Sequence, residues 1–207
     1  ANGEVRFTPG AGSANLFIVG TQGGGLALIE ASDAVSVSPL PSSDLTRKVS
    51  SITLKDAEAL ILFAPGDKAV HRLFDAALVL TAADALGGAQ YCLDLSVSYA
   101  KEREQFGVQI GRFQALKHQL ATIALEIEPA WSLLWYAAYA WDRNLPDAAR
   151  TAAIAKAHIT DRYVSAARAA IAAHGGIGYT WEYGLNIWFR RSLFNQAYLG
   201  GSGLHRA

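Results

Sequence analysis

Cysteine is almost absent from this chain of 207 residues, which contains Cys92 alone and no methionine. A single cysteine cannot form a disulfide within the chain, so a fold built on disulfide bonds is excluded. Cys92 lies among apolar residues in a segment with helical periodicity. We therefore expect a buried, inert thiol rather than a nucleophile.

Neither sign of charge is in excess, because 18 Lys and Arg residues balance 18 Asp and Glu residues. The chain thus lacks the basic surplus that would neutralise nucleic-acid phosphates or hold it on an anionic membrane. It also lacks any unbroken apolar run near the roughly 20 residues that a membrane-spanning helix needs. We predict a cytoplasmic globular protein that binds neither nucleic acid nor membrane.

Two kinds of catalytic centre are also missing from the sequence. The five histidines are scattered, without the spacing to each other or to carboxylates that a metal site requires, so no metal is expected. A serine hydrolase motif fails at Ser202, because Leu204 stands where the second glycine of Gly-x-Ser-x-Gly would be.

The composition divides the chain into two parts. Residues 1–67 are rich in Gly, Ser and Pro, and turn signals separate short apolar runs that predict strands at 15–20, 26–31, 35–38 and 47–54. Residues 68–207 are rich in Ala, and helical periodicity predicts helices at 69–104, 113–142, 146–174 and 181–198. The predicted fold class is α+β: a small antiparallel β domain followed by an antiparallel four-helix bundle whose small residues allow close packing.

Two segments between the predicted helices could carry chemistry. Residues 103–114 combine two arginines, three glutamines and two phenylalanines, and their guanidinium and amide groups could hold a phosphate. A solvated turn whose phenylalanines pack two helices together explains the same pattern. Residues 174–179 form a glycine-rich loop whose backbone could approach a ligand closely, although a simple helix C-cap explains it equally well.

Taken together and in this order, residues 99–107, 113–114, 174–182 and 190–191 resemble the C-terminal helical domain of flavin-dependent acyl-CoA dehydrogenases. Residues 3–19 and 40–47 resemble part of the middle β domain of the same family. The resemblance covers the whole chain. It implies that residues 1–67 are part of the middle β domain, that residues 68–207 are the C-terminal domain, and that the family's N-terminal helical domain is absent from this chain.

The resemblance also implies a reaction, the α,β-dehydrogenation of an acyl-CoA thioester, in which a carboxylate takes the α proton and FAD takes the hydride. In the family a glutamate base usually follows the tyrosine of a Y-E-G-T motif. That position is Leu199 here, and Gly201 replaces the threonine. A minority of members place the glutamate on the first long helix, at a position that falls on Ala77 or Leu78. The chain is therefore expected to have no catalytic residue of its own.

The family's contacts to FAD are partly retained. By resemblance, the turn and the glycine-rich loop reach across a dimer interface to the FAD of the adjacent subunit. The candidate cofactor-binding residues are Arg103, Gln105, Phe106, Gln114, Gly175 and Gly176. The family's glutamine before the glycine pair is Ala172 here. In the β domain the aromatic beside the flavin is kept as Phe7, whereas a hydroxyl donor has become Pro9.

This combination favours a supporting subunit of a heteromeric acyl-CoA dehydrogenase, similar to the unequal paired chains of actinobacterial steroid degradation. Such a subunit would help to hold FAD for a partner subunit that carries the base. An active dehydrogenase stays open as an alternative, with Asp75 or a residue of the missing N-terminal part as the base. A flavin monooxygenase on the same fold and a binding protein without flavin also stay open.

Overall fold

The computed structural model describes residues 1–206. The chain forms two compact units, Ala1–Phe74 and a second that begins at Asp75. The first unit contains six strands, which are β1 (Gly3–Pro9), β2 (Leu16–Gly20), β3 (Leu26–Glu30), β4 (Val35–Leu40), β5 (Val49–Leu54) and β6 (Leu60–Phe63). They pair antiparallel in two sheets of three strands, ordered β1-β5-β4 and β2-β3-β6.

Alternating apolar residues build the core of this first unit. Phe17 and Val19 of β2 are buried together with Ala27 and Ile29 of β3, while the residues between them are more exposed. The sequence predicted β2 to β5 from short apolar runs between turn signals. The strands β1 and β6 were not predicted: the register of β1 shifts after Val5, and β6 is largely exposed.

The helices are α1 (Lys68–Glu102), α2 (Gln114–Asp142), α3 (Ala148–His174), α4 (Leu185–Ala197) and the short α5 (Ser202–Arg206). Between α1 and α2 lies a hairpin of two short strands, β7 (Glu104–Gln105) and β8 (Val108–Gln109), followed by a 3-10 turn at Ile110–Arg112. The four long helices fall where the sequence predicted them, with two ends that coincide and the others differing by one to four residues. The hairpin and α5 were not predicted.

Contacts between the helices show that the bundle is antiparallel. Asp84 in the middle of α1 bonds to Arg191 in α4, and Tyr99 near the end of α1 contacts Tyr183 just before α4, so the two helices run in opposite directions. The five residues 143–147 join α2 to α3 and likewise make them antiparallel neighbours. The predicted fold class, a small antiparallel β domain and an antiparallel four-helix bundle, is confirmed.

Small residues at the helix contacts let the helices approach closely. Fully buried alanines occur on α1, α2 and α3, among them Ala82, Ala85, Ala89, Ala137, Ala152, Ala155 and Ala167. Cys92 is buried in the same core, and this burial raises the pKa of its thiol to about 12. The thiolate is therefore not formed at neutral pH, as the sequence predicted.

The length and composition of α1 alone would allow it to cross a bilayer, with a mean hydropathy of 1.3 over its most apolar window. The sequence led us to expect no such segment. The difference arises because leucine, valine and alanine with few charges raise the average without forming an unbroken apolar run. Half of that window is buried within the protein, and core helices commonly have this composition.

Candidate functional site

Three aromatic rings join one end of the helical bundle. Tyr99, near the end of α1, stacks on His174 at the end of α3, with ring centroids 4.2 Å apart. His174 in turn contacts Tyr183, just before α4, at 4.8 Å. This end of the bundle therefore carries both loops that the sequence singled out, the turn at 103–113 and the loop at 175–179, together with the start of α2. All six candidate cofactor-binding residues lie at this end.

The hairpin β7–β8 turns at Phe106 and Gly107. Both residues have positive φ, 54° and 77°, as a two-residue type I′ hairpin turn requires. A phenylalanine pays for this left-handed conformation with strain of about 1 kcal/mol, which glycine or asparagine would largely avoid. The Phe106 side chain is nevertheless 94% exposed, and its ring meets that of Phe113 edge to face with centroids 6.1 Å apart. The turn thus presents a large aromatic ring to the outside.

The backbone of Arg103 is fixed while its side chain is exposed. Its N–H donates to the Tyr99 carbonyl and its own carbonyl accepts from Ile110, both at 2.8 Å. The following turn packs tightly on the end of α1, because a Cβ on Gly111 would lie 2.8 Å from the Ala100 carbonyl oxygen. The backbone of Arg103 is therefore fixed, and its exposed guanidinium group is available to bind an anion.

The two glutamines of the predicted set are also exposed. Gln114 begins α2, and Gln105 lies in β7 with its Nε2 donating to the Glu104 carbonyl at 2.7 Å. Amide side chains here add donors and acceptors beside the arginine.

Gly175 ends α3 with φ 63°, and its N–H donates to the Ala172 carbonyl. A Cβ on Gly175 or Gly176 would meet no atom within 4 Å, so both glycines expose open backbone. Gly178 differs, since a Cβ there would lie 2.6 Å from the Ile171 carbonyl oxygen. The loop therefore combines a tightly packed base with a backbone that a ligand can approach.

His174 is the residue at this end whose role the sequence did not reveal. It is buried, its Nδ1 lies 2.7 Å from the Ala170 carbonyl, and its Nε2 has no hydrogen-bond partner within the described chain. Burial lowers its pKa, and the bond to Ala170 opposes this more weakly. A neutral imidazole therefore joins the ring stack. Its position directly before a glycine pair was the available signal in the sequence.

Leu199 lies towards the opposite end of the bundle, in the turn between α4 and α5. Its φ is 61°, and its half-buried side chain packs against the bundle core. The preceding turns of α4 contact α1 near Asp84, which is 15 residues or about 22 Å of helix from the stacked Tyr99. The position that the resemblance assigned to a base is thus well separated from the six candidate residues.

The alternative positions for a base lie on α1. Ala77 is half-buried and Leu78 is buried, and neither carries a carboxyl group. Asp75 is half-buried nearby on the same helix. In the first unit, Phe7 is 63% exposed with φ 58°, at the irregular part of β1, and Pro9 lies opposite Val49 of β5.

Comparison with known proteins gives a consistent assignment. The family model described as acyl-CoA dehydrogenase, C-terminal domain, matches residues 66–207. Acyl-CoA dehydrogenase IpdE2 of Mycolicibacterium smegmatis is 33% identical over 168 residues, which are 81% of this chain and 50% of that protein. Acyl-CoA dehydrogenase FadE34 of Mycobacterium tuberculosis is 34% identical over 215 residues, which cover 98% of this chain and 28% of FadE34.

Among solved structures, a variant of the Tcur3481-Tcur3483 steroid ACAD matches with a TM-score of 0.89 and 29% identity. The match covers 99% of this chain and 56% of that chain. The chain therefore spans about half the length of IpdE2 and of this structural neighbour, and a smaller share of FadE34.

Proposed function

Because this chain belongs to the acyl-CoA dehydrogenase family, we propose that it is a supporting subunit in the FAD-dependent α,β-dehydrogenation of an acyl-CoA thioester. In this role it contributes contacts to FAD at an interface with a partner subunit. It supplies no base, since Leu199 occupies the position of the family's glutamate. The partner subunit provides the carboxylate that takes the α proton.

The observation that carries this proposal is Phe106. Evolution commonly keeps backbone strain at functional sites, and here a strained, 94% exposed phenylalanine stands at the tip of a hairpin. An exposed ring of this size is explained by a flat aromatic or apolar partner that covers it. The adenine end of a dinucleotide bound at a subunit interface has this chemistry.

The other residues at the same end suit the remainder of FAD. Arg103 offers a guanidinium with an anchored backbone, and Gln105 and Gln114 offer amide groups, which match a pyrophosphate and ribose hydroxyls. The open backbone of Gly175 and Gly176 allows close approach without a steric obstacle. When bound, the flavin supplies the hydride acceptor of the reaction, and this chain's residues hold and orient it.

The absence of a base is argued from residue chemistry. An aliphatic leucine cannot accept a proton, and the α proton of a thioester is weakly acidic and needs a base within hydrogen-bond reach. The side chain of Leu199 instead packs against the core of the bundle. A subunit relieved of proton transfer can lose its glutamate and keep its fold, because the bundle is held by apolar packing.

Steroid acyl-CoA thioesters are the substrate class that we propose for the complete enzyme. The support is the match to the Tcur3481-Tcur3483 structure, whose name carries the steroid designation and joins two components. In that case a bulky acyl substrate would be oxidised by a complex whose unequal subunits have different roles.

A variant at the hairpin tip tests the FAD contact. Phe106→Asn relieves the strain of the type I′ turn, so we expect a hairpin of equal or greater stability. If the ring contacts FAD, the native complex, purified through a tag on this chain, should nevertheless lose FAD about tenfold faster. FAD release is measured by flavin fluorescence after dilution.

The matched control is Asn144→Gly, at the turn between α2 and α3. Asn144 also has positive φ, 53°, but lies at the opposite end of the bundle from Phe106. This variant should release FAD at the wild-type rate. Unchanged release from Phe106→Asn would contradict the proposed contact, and equal acceleration in both variants would assign the effect to turn stability.

A further inference from the structure

A buried lysine lies beneath the turn between α4 and α5. Lys156 of α3 has no exposed surface, although lysine is among the residues least often buried in proteins. Its Nζ donates to the carbonyl oxygens of Gln196 at 2.8 Å and Gly200 at 2.7 Å. One side chain therefore joins the last turn of α4 to the residue that follows Leu199.

The neighbouring carboxylate of α3 is engaged by other groups. Asp161 accepts hydrogen bonds from Gln196 Nε2 at 2.8 Å, Ser202 Oγ at 2.5 Å and Arg206 Nη2 at 2.7 Å. The two carbonyl groups are thus the direct partners of Lys156. Burial lowers the pKa of Lys156 to about 8, against the weaker opposing charge of Asp161. Burying an ammonium group is costly unless hydrogen bonds replace those it made to water.

The turn needs such support because its backbone conformation is unusual. Leu199 has φ 61° and Gly200 has φ 101°, both in the left-handed region, which a leucine rarely adopts. The turn's own backbone bond, from Gly200 N–H to the Ala197 carbonyl, is long at 3.2 Å. The two shorter bonds from Lys156 hold the carbonyl groups on either side of Leu199.

We propose that Lys156 is a positioning residue, which fixes the 196–200 turn and hence the direction in which the side chain of residue 199 points. The inference rests on the proposed function only in taking residue 199 as the position of the family's base. The two hydrogen bonds from Lys156 to the carbonyl groups of Gln196 and Gly200, which we call the clamp, join α3 to the turn and can be measured without turnover.

The wild-type protein provides the first test. In nuclear magnetic resonance spectra of 15N-labelled and 13C-labelled protein, Lys156 Nζ should show slow hydrogen exchange and couplings across hydrogen bonds to the carbonyl carbons of Gln196 and Gly200. The exposed Lys101 is the internal control. Exchange at Lys156 as fast as at Lys101, without these couplings, would overturn the proposal.

Substitution provides the second test. Lys156→Met keeps the length and apolar stem but removes the donors, and it should raise amide hydrogen exchange in residues 197–206 at least tenfold. The control is Thr160→Val, one turn along α3, because the Thr160 hydroxyl donates only to the Lys156 carbonyl at 2.8 Å. Equal exchange in wild-type and Lys156→Met protein would overturn the clamp. Should Lys156→Met not fold, the spectroscopic test on the wild-type protein decides.

A third measurement separates positioning from general stability. In the native complex with the partner's catalytic carboxylate replaced by its amide, the wild-type chain should give no solvent exchange of the α proton of octanoyl-CoA, and Leu199→Glu should introduce it. Adding Lys156→Met should lower its kcat at least tenfold at an unchanged KM, and adding Thr160→Val should not. Equal losses from both additions would overturn the positioning role. No exchange with Leu199→Glu alone would contradict the assignment of residue 199, and therefore the proposed function, while the first two tests decide the clamp.

Discussion

Among the glycines of the helical bundle, one leaves the least room for a side chain. A Cβ on Gly88 of α1 would lie 2.4 Å from Cζ and 2.5 Å from the hydroxyl of the fully buried Tyr163 on α3. We expect Gly88→Ala to lower the free energy of unfolding by about 1–3 kcal/mol, because the ring cannot move aside within a packed core. Chemical denaturation monitored by circular dichroism measures this change.

The adjacent residue is a matched control. Gly87 is exposed on the same helix, and a Cβ there would meet nothing within 4 Å. Gly87→Ala should therefore raise the free energy of unfolding by up to about 1 kcal/mol through helix propensity alone. Similar effects at the two positions would show that Tyr163 does not restrict Gly88.

Single residues were predicted from the sequence with uneven success. Arg103 and Gly175 were predicted to contact FAD because they belong to local motifs that resemble the family's, and that role stays a prediction. Lys156 could not be assigned, since a lone lysine on a helix ordinarily indicates a solvated face, and its burial depends on the turn after α4. The ring stack around His174 could not be predicted for a similar reason, because its partners Tyr99 and Tyr183 are distant from it in sequence.

At the level of helices, α1 and α4 are joined by a polar network. Asp84 accepts from Arg191 Nε at 3.0 Å and from Asn195 Nδ2 at 2.7 Å, and both charged side chains are largely buried. Asp84→Ala would leave Arg191 without this carboxylate, so we expect a loss of about 1–3 kcal/mol in the free energy of unfolding. Thermal and chemical denaturation measure this loss.

A carboxylate on the same helix serves as the comparison. Asp94 is exposed and accepts from Gln90 within α1 at 2.9 Å. Its replacement by alanine should change the free energy of unfolding by less than about 0.5 kcal/mol. A loss at Asp94 equal to that at Asp84 would contradict a specific link between α1 and α4.

The ring stack that joins α1, α3 and α4 should make stability depend on pH. Burial lowers the pKa of His174 below that of the unfolded chain, so below about pH 6.5 the unfolded chain binds more protons than the folded one. The free energy of unfolding therefore falls as the pH drops from 7.5 to 5. His174→Phe keeps an aromatic ring and should weaken this dependence.

His158 adds to the same pH dependence. Burial and the charges of Arg162 and Arg206 also lower its pKa, and hence part of the slope should survive in His174→Phe. Denaturation curves at several pH values give the slope for each variant. An unchanged slope in His174→Phe would show that this imidazole does not titrate differently on folding.

For the molecule as a whole, the periodicity of the sequence predicted the helical bundle well and the β unit incompletely. Apolar and small residues recur every three or four positions along α2 and α3, which specifies a buried helix face directly. The strands β1 and β6 contain no buried residue and were missed, whereas β4, which contains none either, was predicted because turn signals bound its apolar residues. The hairpin β7–β8 is too short to show any period.

The sequence did not predict which candidate residues lie at each end of the bundle. The candidate FAD contacts lie at the end marked by Tyr99, and Leu199 lies towards the other end. Only the tertiary contacts reveal this arrangement. This separation suits a chain that retains one half of the family's site and has changed the other. It also means that the two halves can be tested by independent variants.

The most direct test of the central proposal is solvent exchange of the α proton of an acyl-CoA, measured by mass spectrometry in deuterated water. The full-length protein is compared alone and in its native complex. If this chain supplies FAD contacts but no base, exchange should occur in the complex and be absent from the protein alone, even when FAD is added. Exchange catalysed by the isolated full-length protein would show that it carries its own base, and would contradict the supporting role.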